Sequence, residues 1–558
     1  MTDVVRLDNL RVRFSTDNGD VDAVKNVSLN VREREILAIV GESGSGKSVS
    51  TKTILQMLPD YAIEDGAVLL KSSETGKLRD VTSLGYRELR EIRGQDASMV
   101  FQEPSNALNP VYRVGWQIAE GIRAHLPKGE KLSKAQAKEK AIEIMRTVGI
   151  PDPEVRVNYY PHQFSGGQKQ RIVIAQALVL GAKLIIADEP TTALDVTVQA
   201  EILELLKSIR DEFGTSILLI THNMGVVADM ADRVVVMSEG AVVEENDVFK
   251  LFAVAENEYT RALLAAVPRI DAATRRVNTR KNPLTSQNEV ICVKGLTVEY
   301  PAGFGVQSFK AVDNISFSIR KGEVLGLVGE SGSGKSTTGR ALINLVKSKG
   351  DISLFGQDVR KLNKKQMTEV MRKVGYIFQD PASSFNPLQT IGEAIAEPLL
   401  IAGKGDPSGF GVSRYEEALP RVERLLGLVH LPAEFCTRFP HELSGGQRQR
   451  VGFARALALQ PEIIIADEPT SALDVSVQAE VLKLFLELQD RLQFSCLFIT
   501  HDLAVVDMVS DTIAVMQKGK IVEMGTGEQI LTNPGQDYTK QLLKSLPLPD
   551  PQLQRAKD

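Results

Sequence analysis

The chain has 558 residues, 43% of them hydrophobic and 25% charged, with a formal net charge of -5. That is the make-up of a soluble globular protein rather than a disordered or fibrous one, and its acidic balance gives no electrostatic reason to expect nucleic acid. Cys292, Cys436 and Cys496 form no CxxC pair, which argues against a metal site or disulfide framework and suits a reducing cytoplasm.

Met1 to Thr16 alternates charged with apolar residues and lacks the apolar stretch of a signal peptide. No apolar run approaches the roughly 20 residues of a membrane span, so membrane work falls to another chain. Ala23 to Val31 (AVKNVSLNV) recurs 288 positions on as Ala311 to Ile319 (AVDNISFSI). Repetition at this distance means two copies of one domain, because solenoid repeats are far shorter.

The apolar run Ile36 to Val40 reads as a strand, followed by Gly41-Glu42-Ser43-Gly44-Ser45-Gly46-Lys47-Ser48 and Val49, where a helix opens. Val324 to Val328 precedes its repeat, Gly329-Glu330-Ser331-Gly332-Ser333-Gly334-Lys335-Ser336 and Thr337. The pattern GxxxxGK[ST] predicts a cradle in which backbone N–H groups and a helix N-terminus wrap the phosphates of a nucleotide. Lys47 and Lys335 are placed to neutralise the β- and γ-phosphates of ATP, and Ser48 and Ser336 to put a hydroxyl on Mg²⁺.

Gln102 in FQEP and Gln379 in FQDP follow short apolar segments with an amide that reaches metal or water, unless Pro104 and Pro381 merely set surface turns. Ser165-Gly166-Gly167-Gln168 and Ser444-Gly445-Gly446-Gln447 open helical patterns, with serine as N-cap and Ile172, Ala175 and Val179 behind the first. The runs from Leu184 and Ile463 close on Asp188-Glu189 and Asp467-Glu468, reading as buried parallel strands that deliver acids to the ligand edge of an α/β sheet. Asp188 and Asp467 suit a water-mediated Mg²⁺ contact, and Glu189 and Glu468 suit orienting and deprotonating the attacking water. The bland alternative is a pair of helix caps. His222 and His501 follow apolar strands where an imidazole can bond the γ-phosphate, while His125, His162, His430 and His441 read as structural.

From SGGQ onward the copies stand 279 positions apart, down to Tyr259-Thr260 and Tyr538-Thr539 in the tails. Asp271 to Asn288 is polar, carries Arg275, Arg276, Arg280 and Lys281, and reads as a flexible linker. The expected domains are therefore 1–270 and 289–558.

With phosphate loop, SGGQ and ADEP in order, the chain resembles the ATP-binding cassette (ABC) family over nearly its whole length. The resemblance implies an α/β fold of two tandem P-loop NTPase domains, each with a mixed sheet core, an antiparallel β-subdomain and a helical subdomain. It also implies a head-to-tail sandwich with two composite ATP sites. One joins Lys47, Gln102, Glu189 and His222 to Ser444 through Gln447, and the other joins Lys335, Gln379, Glu468 and His501 to Ser165 through Gln168. In such a family an aromatic ring stacks on adenine, for which Phe14 and Tyr300 are the candidates, two residues apart in register; Asp195 and Asp474 match the loop linking the sites. Both sites are expected to hydrolyse ATP.

FQEPSNALNP, FQDPASSFNP, YPHQFSGGQ, FPHELSGGQ and the tails YTRALL and YTKQLL look like the dipeptide, oligopeptide and nickel importer ATPases of bacteria. That implies two transmembrane permeases docked near the Gln102 and Gln379 loops, an extracytoplasmic substrate-binding protein, and a place on the cytoplasmic face of the inner membrane. Neither tail holds a cysteine, so no iron–sulfur cluster is expected. A twin-cassette protein acting on ribosomes or other nucleic acid usually carries a long charged helical linker, and an exporter motor is opposed by the importer-like loops and tails. The cargo is not written in these domains.

Overall fold

The computed structural model describes all residues except 1, 17–18, 127–131, 193, 271–274, 277–287, 302–307, 381–383, 404–405, 407–408, 472 and 557–558. Most of the expected linker, and Pro381, thus lie outside the described residues. The chain divides into two compact units. Unit 1 comprises Met1–Leu194, Val198–Val267 and Pro547–Asp558, and unit 2 comprises Asp195–Thr197 and Pro268–Leu546.

Unit 1 contains strands β1 (Asp3–Thr16), β2 (Gly19–Arg32), β3 (Ile36–Val40), β4 (Ala62–Lys71), β5 (Leu78–Asp80), β6 (Ala97–Val100), β7 (Leu184–Asp188), β8 (Ser216–Ile220), β9 (Arg233–Ser238) and β10 (Ala241–Asp247). They form an antiparallel sheet in the order β2-β1-β4-β5 and a six-stranded sheet in the order β10-β9-β3-β8-β7-β6. The larger sheet is parallel except for its β9–β10 edge. Every residue of β3, β7 and β8 is buried. Strands covered on both faces must be apolar throughout, which is why they read as unbroken runs. Leu7, Leu29, Leu37, Ile186 and Met237 form a core that both sheets share. On the other face of the large sheet, helices Val114–Ala124, Lys134–Thr147 and Gly166–Leu178 pack on one another through Ile118, Ala141, Met145 and Ile172.

Unit 2 repeats the plan with β11 (Glu289–Tyr300), β12 (Phe309–Arg320), β13 (Val324–Val328), β14 (Lys349–Leu354), β15 (Gln357–Asp358), β16 (Val374–Ile377), β17 (Ile463–Asp467), β18 (Ser495–Thr500), β19 (Thr512–Gln517) and β20 (Lys520–Gly525). Its sheets run β12-β11-β14-β15 and β16-β17-β18-β13-β19-β20. Its helical layer comprises Ile391–Ala402, Tyr415–Leu428 and Gly445–Ala456. Mixed sheet, antiparallel subdomain and helical subdomain are present in both units, as the resemblance implies.

Two segments dock in ways the sequence did not announce. In unit 1 the short helix Pro551–Arg555 packs on helix Met224–Met230. Arg555 donates to the carbonyls of Ala228 and Ala231, and Gln554 Nε2 donates to Asp229 Oδ1 at 3.1 Å. In unit 2, Arg275 Nε lies 2.8 Å from Asp507 Oδ1, and the buried Arg276 guanidinium donates to Asp490 and Gln489. These two cations, expected in a solvated linker, are paired. Among the described residues, no helix is long and apolar enough to cross a membrane.

Candidate nucleotide site

Strands β3 and β13 end on the glycine loops, and the helices beginning at Lys47 and Lys335 start inside them. Gly46 and Gly334, at φ 94° and 105°, cap those helices in the left-handed region. A Cβ there would lie 2.5 Å from the Ala23 carbonyl oxygen or 2.2 Å from that of Ala311, so the backbone of the neighbouring strand leaves room only for glycine. Lys47 Nζ donates to the carbonyls of Gly41 and Glu42 at 2.8 and 2.7 Å. Lys335 Nζ does the same to Gly329 and Glu330 at 2.7 and 2.8 Å. Burial holds the Lys335 ammonium below its ordinary pKa, against the opposing charges of Glu468 and Asp467. Among the described residues the buried Ser333 hydroxyl has no hydrogen-bond partner, which suits a group that meets an oxyanion.

At the ends of β7 and β17 the acids meet the loops. Ser48 Oγ donates to Asp188 Oδ1 at 2.9 Å, and Ser336 Oγ to Asp467 Oδ1 at 2.7 Å. The next residues, Glu189 and Glu468, adopt φ of 48° and 46°. A left-handed glutamate is strained, and both copies keep that strain at the sheet's ligand edge. Gln102 Nε2 donates to Glu189 Oε2 at 2.7 Å, and Gln379 Nε2 to Glu468 Oε2 at 2.9 Å. His222 Nδ1 stands 3.1 Å from Glu189 Oε1, and His501 Nδ1 3.5 Å from Glu468 Oε2. Thr192 Oγ1 donates to Glu189 Oε2 at 2.9 Å. The glutamine, glutamate and histidine picked from sequence thus form one cluster in each unit.

Burial pushes the Asp188 and Asp467 carboxyls above their ordinary values, more than the serine hydrogen bonds pull them down. Burial presses equally on Glu189 and Glu468, but the histidine hydrogen bonds and charges outweigh it and hold both below the usual range. His501 is raised in turn, because Glu468 overcomes the lowering effect of burial.

The SGGQ turns start helices of the helical layer. Ser165 Oγ and Ser444 Oγ accept from the backbone N–H of Gln168 and Gln447, each at 3.3 Å. Val179, expected behind the first turn, falls at the helix's C-cap. Asp474 sits at the start of helix Val475–Leu492, and Asp195 is grouped with unit 2. The adenine candidates share a register after all. Phe14 pairs with Val21 and Tyr300 with Phe309, partners that are themselves 288 positions apart. The offset of two arises in the β11–β12 connection. Phe14 packs its ring 5.8 Å from Tyr61, and Tyr300 is 41% exposed.

Three tyrosines escaped sequence reasoning. Tyr259 and Tyr538 hydroxyls accept from the phosphate-loop N–H groups of Glu42 and Glu330, at 3.0 and 3.3 Å. Their repeated place in the tails was the available signal. Tyr376 donates to Asp467 Oδ2 at 2.9 Å, where the first copy has Met99, so duplication gave no hint of it.

A phosphate loop, paired acids and a helix-starting SGGQ on this doubly built sheet define a P-loop nucleotide hydrolase. The family model described as ABC transporter matches residues 24–192 and 312–471. The chain belongs to the ABC transporter family, and it is an ATPase. A second model, the oligopeptide/dipeptide transporter C-terminal region, matches residues 243–292 and 522–558. Among similar proteins, the glutathione import ATP-binding protein GsiA of Salmonella choleraesuis is 43% identical, the alignment covering 100% of this chain and 91% of that one. GsiA of Pectobacterium atrosepticum is 42% identical over 98% of this chain and 90% of that one. A solved dimeric post-hydrolysis state of the cassette MJ0796 bound to ADP and Pi is 30% identical, with a TM-score of 0.38, covering 42% of this chain and 98% of its own.

Proposed function

We propose that this chain is the ATP-hydrolysing subunit of a bacterial importer for small peptides or peptide-like cargo such as glutathione. The observation that carries this reading is the oligopeptide/dipeptide transporter match behind both ATPase cores. Full-length similarity to proteins named for glutathione import supports the cargo class. Its partners are two transmembrane permeases and an extracytoplasmic substrate-binding protein, and its place is the cytoplasmic face of the inner membrane. A groove of about 630 Å³ beside the Gln379 loop supports the permease contact, since it presents Phe378 and Ile401, 39% and 78% exposed.

Along the sequence the first cassette runs over 1–270 and the second over 289–558, with 271–288 between them, while Pro547–Asp558 groups with the first unit. Each provides Lys47 or Lys335 for the phosphates and Phe14 or Tyr300 for adenine, and the SGGQ of its sister closes the site. A second helix N-terminus aimed at the γ-phosphate gains strength once water is excluded. Glu189 and Glu468 take the proton of the attacking water, and His222 and His501 orient those carboxylates. Ser48 with Asp188, and Ser336 with Asp467, are hard oxygen donors within one hydrogen bond of each other, a set that suits Mg²⁺. These residues would hold the ion, which would supply neutralisation of the phosphate charge.

Affinity purification of the full chain from detergent-solubilised membranes tests the reading. Two permease chains are expected to accompany it, whereas recovery with ribosomes alone would overturn the importer assignment.

A further inference from the structure

Unit 2 carries a cavity of about 860 Å³ that takes no part in the ATPase chemistry. It lies between helix Tyr415–Leu428, the turn at Lys321 and the end of helix Val475–Leu492. Its floor is apolar, with Leu425, Leu457 and Phe494 all buried. Its rim is cationic: Lys321, Arg421, Arg424 and Arg491 face a single acid, Glu462, which Lys373 already pairs at 2.9 Å. Among the described residues none of those four cations forms an ion pair. Arg421 is instead fixed by stacking 3.8 Å over the Phe410 ring, with its Nε donating to the Ala458 carbonyl at 2.8 Å. Burial, then the neighbouring Arg424, pushes the Arg421 guanidinium below its ordinary pKa, as an uncompensated cation requires.

The duplication supplies a control. Lys321 corresponds to Glu33, 288 positions back, and Arg491 to Glu212, 279 back. Helices Lys134–Thr147 and Tyr415–Leu428 are both 14 residues long and run into left-handed residues, Gly149 and His430. Arg421 and Arg424 therefore correspond to Lys140 and Glu143. Positions that are uniformly basic in unit 2 read Glu, Lys, Glu and Glu in unit 1, so the scaffold does not need cations there.

We propose that this cavity binds a small amphiphilic anion. A phosphate, sulfonate or carboxylate group is held by Arg424, Arg491 and Lys321, and an apolar body rests on Leu425, Leu457 and Phe494. Guanidinium forks suit oxyanions, and the volume falls within the range of small-molecule sites. A membrane lipid and a soluble metabolite both offer this chemistry.

The test titrates the full chain with anilinonaphthalene sulfonate while saturating Mg-ATP fills the nucleotide sites. Arg424→Glu with Arg491→Glu installs the side chains that unit 1 already tolerates. Wild-type protein is expected to show one saturable site, weakened by about tenfold or more in the double variant, the scale of lost charge-assisted contacts. Binding of a fluorescent ATP analogue is expected to stay unchanged. Dodecyl phosphate is expected to compete strongly and inorganic phosphate weakly. Equal probe affinity in the two proteins overturns the proposal, as does competition by inorganic phosphate matching that of dodecyl phosphate. Co-sedimentation with phosphatidylglycerol vesicles, lost in the double variant, assigns the anion to a lipid; competition by dodecyl phosphate without vesicle binding assigns it to a soluble molecule.

Discussion

Asp188 and Glu189 are chain neighbours, as are Asp467 and Glu468, yet within each pair the aspartate is pushed up and the glutamate held down. Burial acts on all four, and the partners decide the outcome: hydroxyl donors, Ser48 on Asp188 and Ser336 with Tyr376 on Asp467, do not offset it, while an imidazole on each glutamate does. An ionised glutamate is what the proposed general base needs. Glu189→Gln with Glu468→Gln is therefore expected to cut phosphate release by roughly 10² to 10⁴ while ATP binding persists. Unchanged turnover in the double variant would refute the assignment. The His501–Glu468 pair also sets a pH window. The depressed Glu468 contributes stability above its unfolded value that is lost as pH falls through its folded one. The raised His501 contributes fully below its unfolded value, about 6.5, and loses that contribution as pH rises through its folded one. His501→Gln is expected to flatten the decline in the unfolding midpoint of unit 2 on the alkaline side, and parallel profiles for the two proteins would exclude the pair as its cause.

At the scale of elements, what the sequence spelled locally was legible. Ile36–Val40 and Val324–Val328 are strands because an unbroken apolar run before a glycine loop has few other places to go. The serine caps of SGGQ were equally readable, since capping needs only residues three apart. Tyr376 was not, because a phenol reaching the end of a neighbouring strand leaves no periodic trace, and the first copy has Met99 in its place. The second SGGQ glycine also has a tertiary reason. A Cβ on Gly446 would lie 2.3 Å from Val477 Cγ1, a stiff branched side chain, whereas one on Gly445 meets only Leu473 Cδ2 at 3.4 Å. Gly446→Ala is expected to cost about 1–3 kcal/mol by overpacking, clearly more than Gly445→Ala. Urea unfolding of the two variants decides it, and equal midpoints would show that the helix contact does not require glycine there.

For the whole molecule, the repeat offsets announced two copies but not where the chain's last residues go. Pro547–Asp558 belongs to unit 1, although the polypeptide reaches it through unit 2. Arg555 caps the carbonyl end of helix Met224–Met230, and Gln554 satisfies Asp229. Truncation after Leu546 is therefore expected to lower the melting of unit 1 by several degrees, as a loss of ~2 kcal/mol does in a domain of this size. A shift confined to unit 2 would contradict the packing. Synthesis gives the arrangement a further meaning. The ribosome emits residues 1–267 well before 547–558, so at roughly 5–20 residues per second the nascent first unit waits roughly fifteen to sixty seconds for its returning segment. A premature stop anywhere in residues 268–546 thus leaves its mark on the first unit.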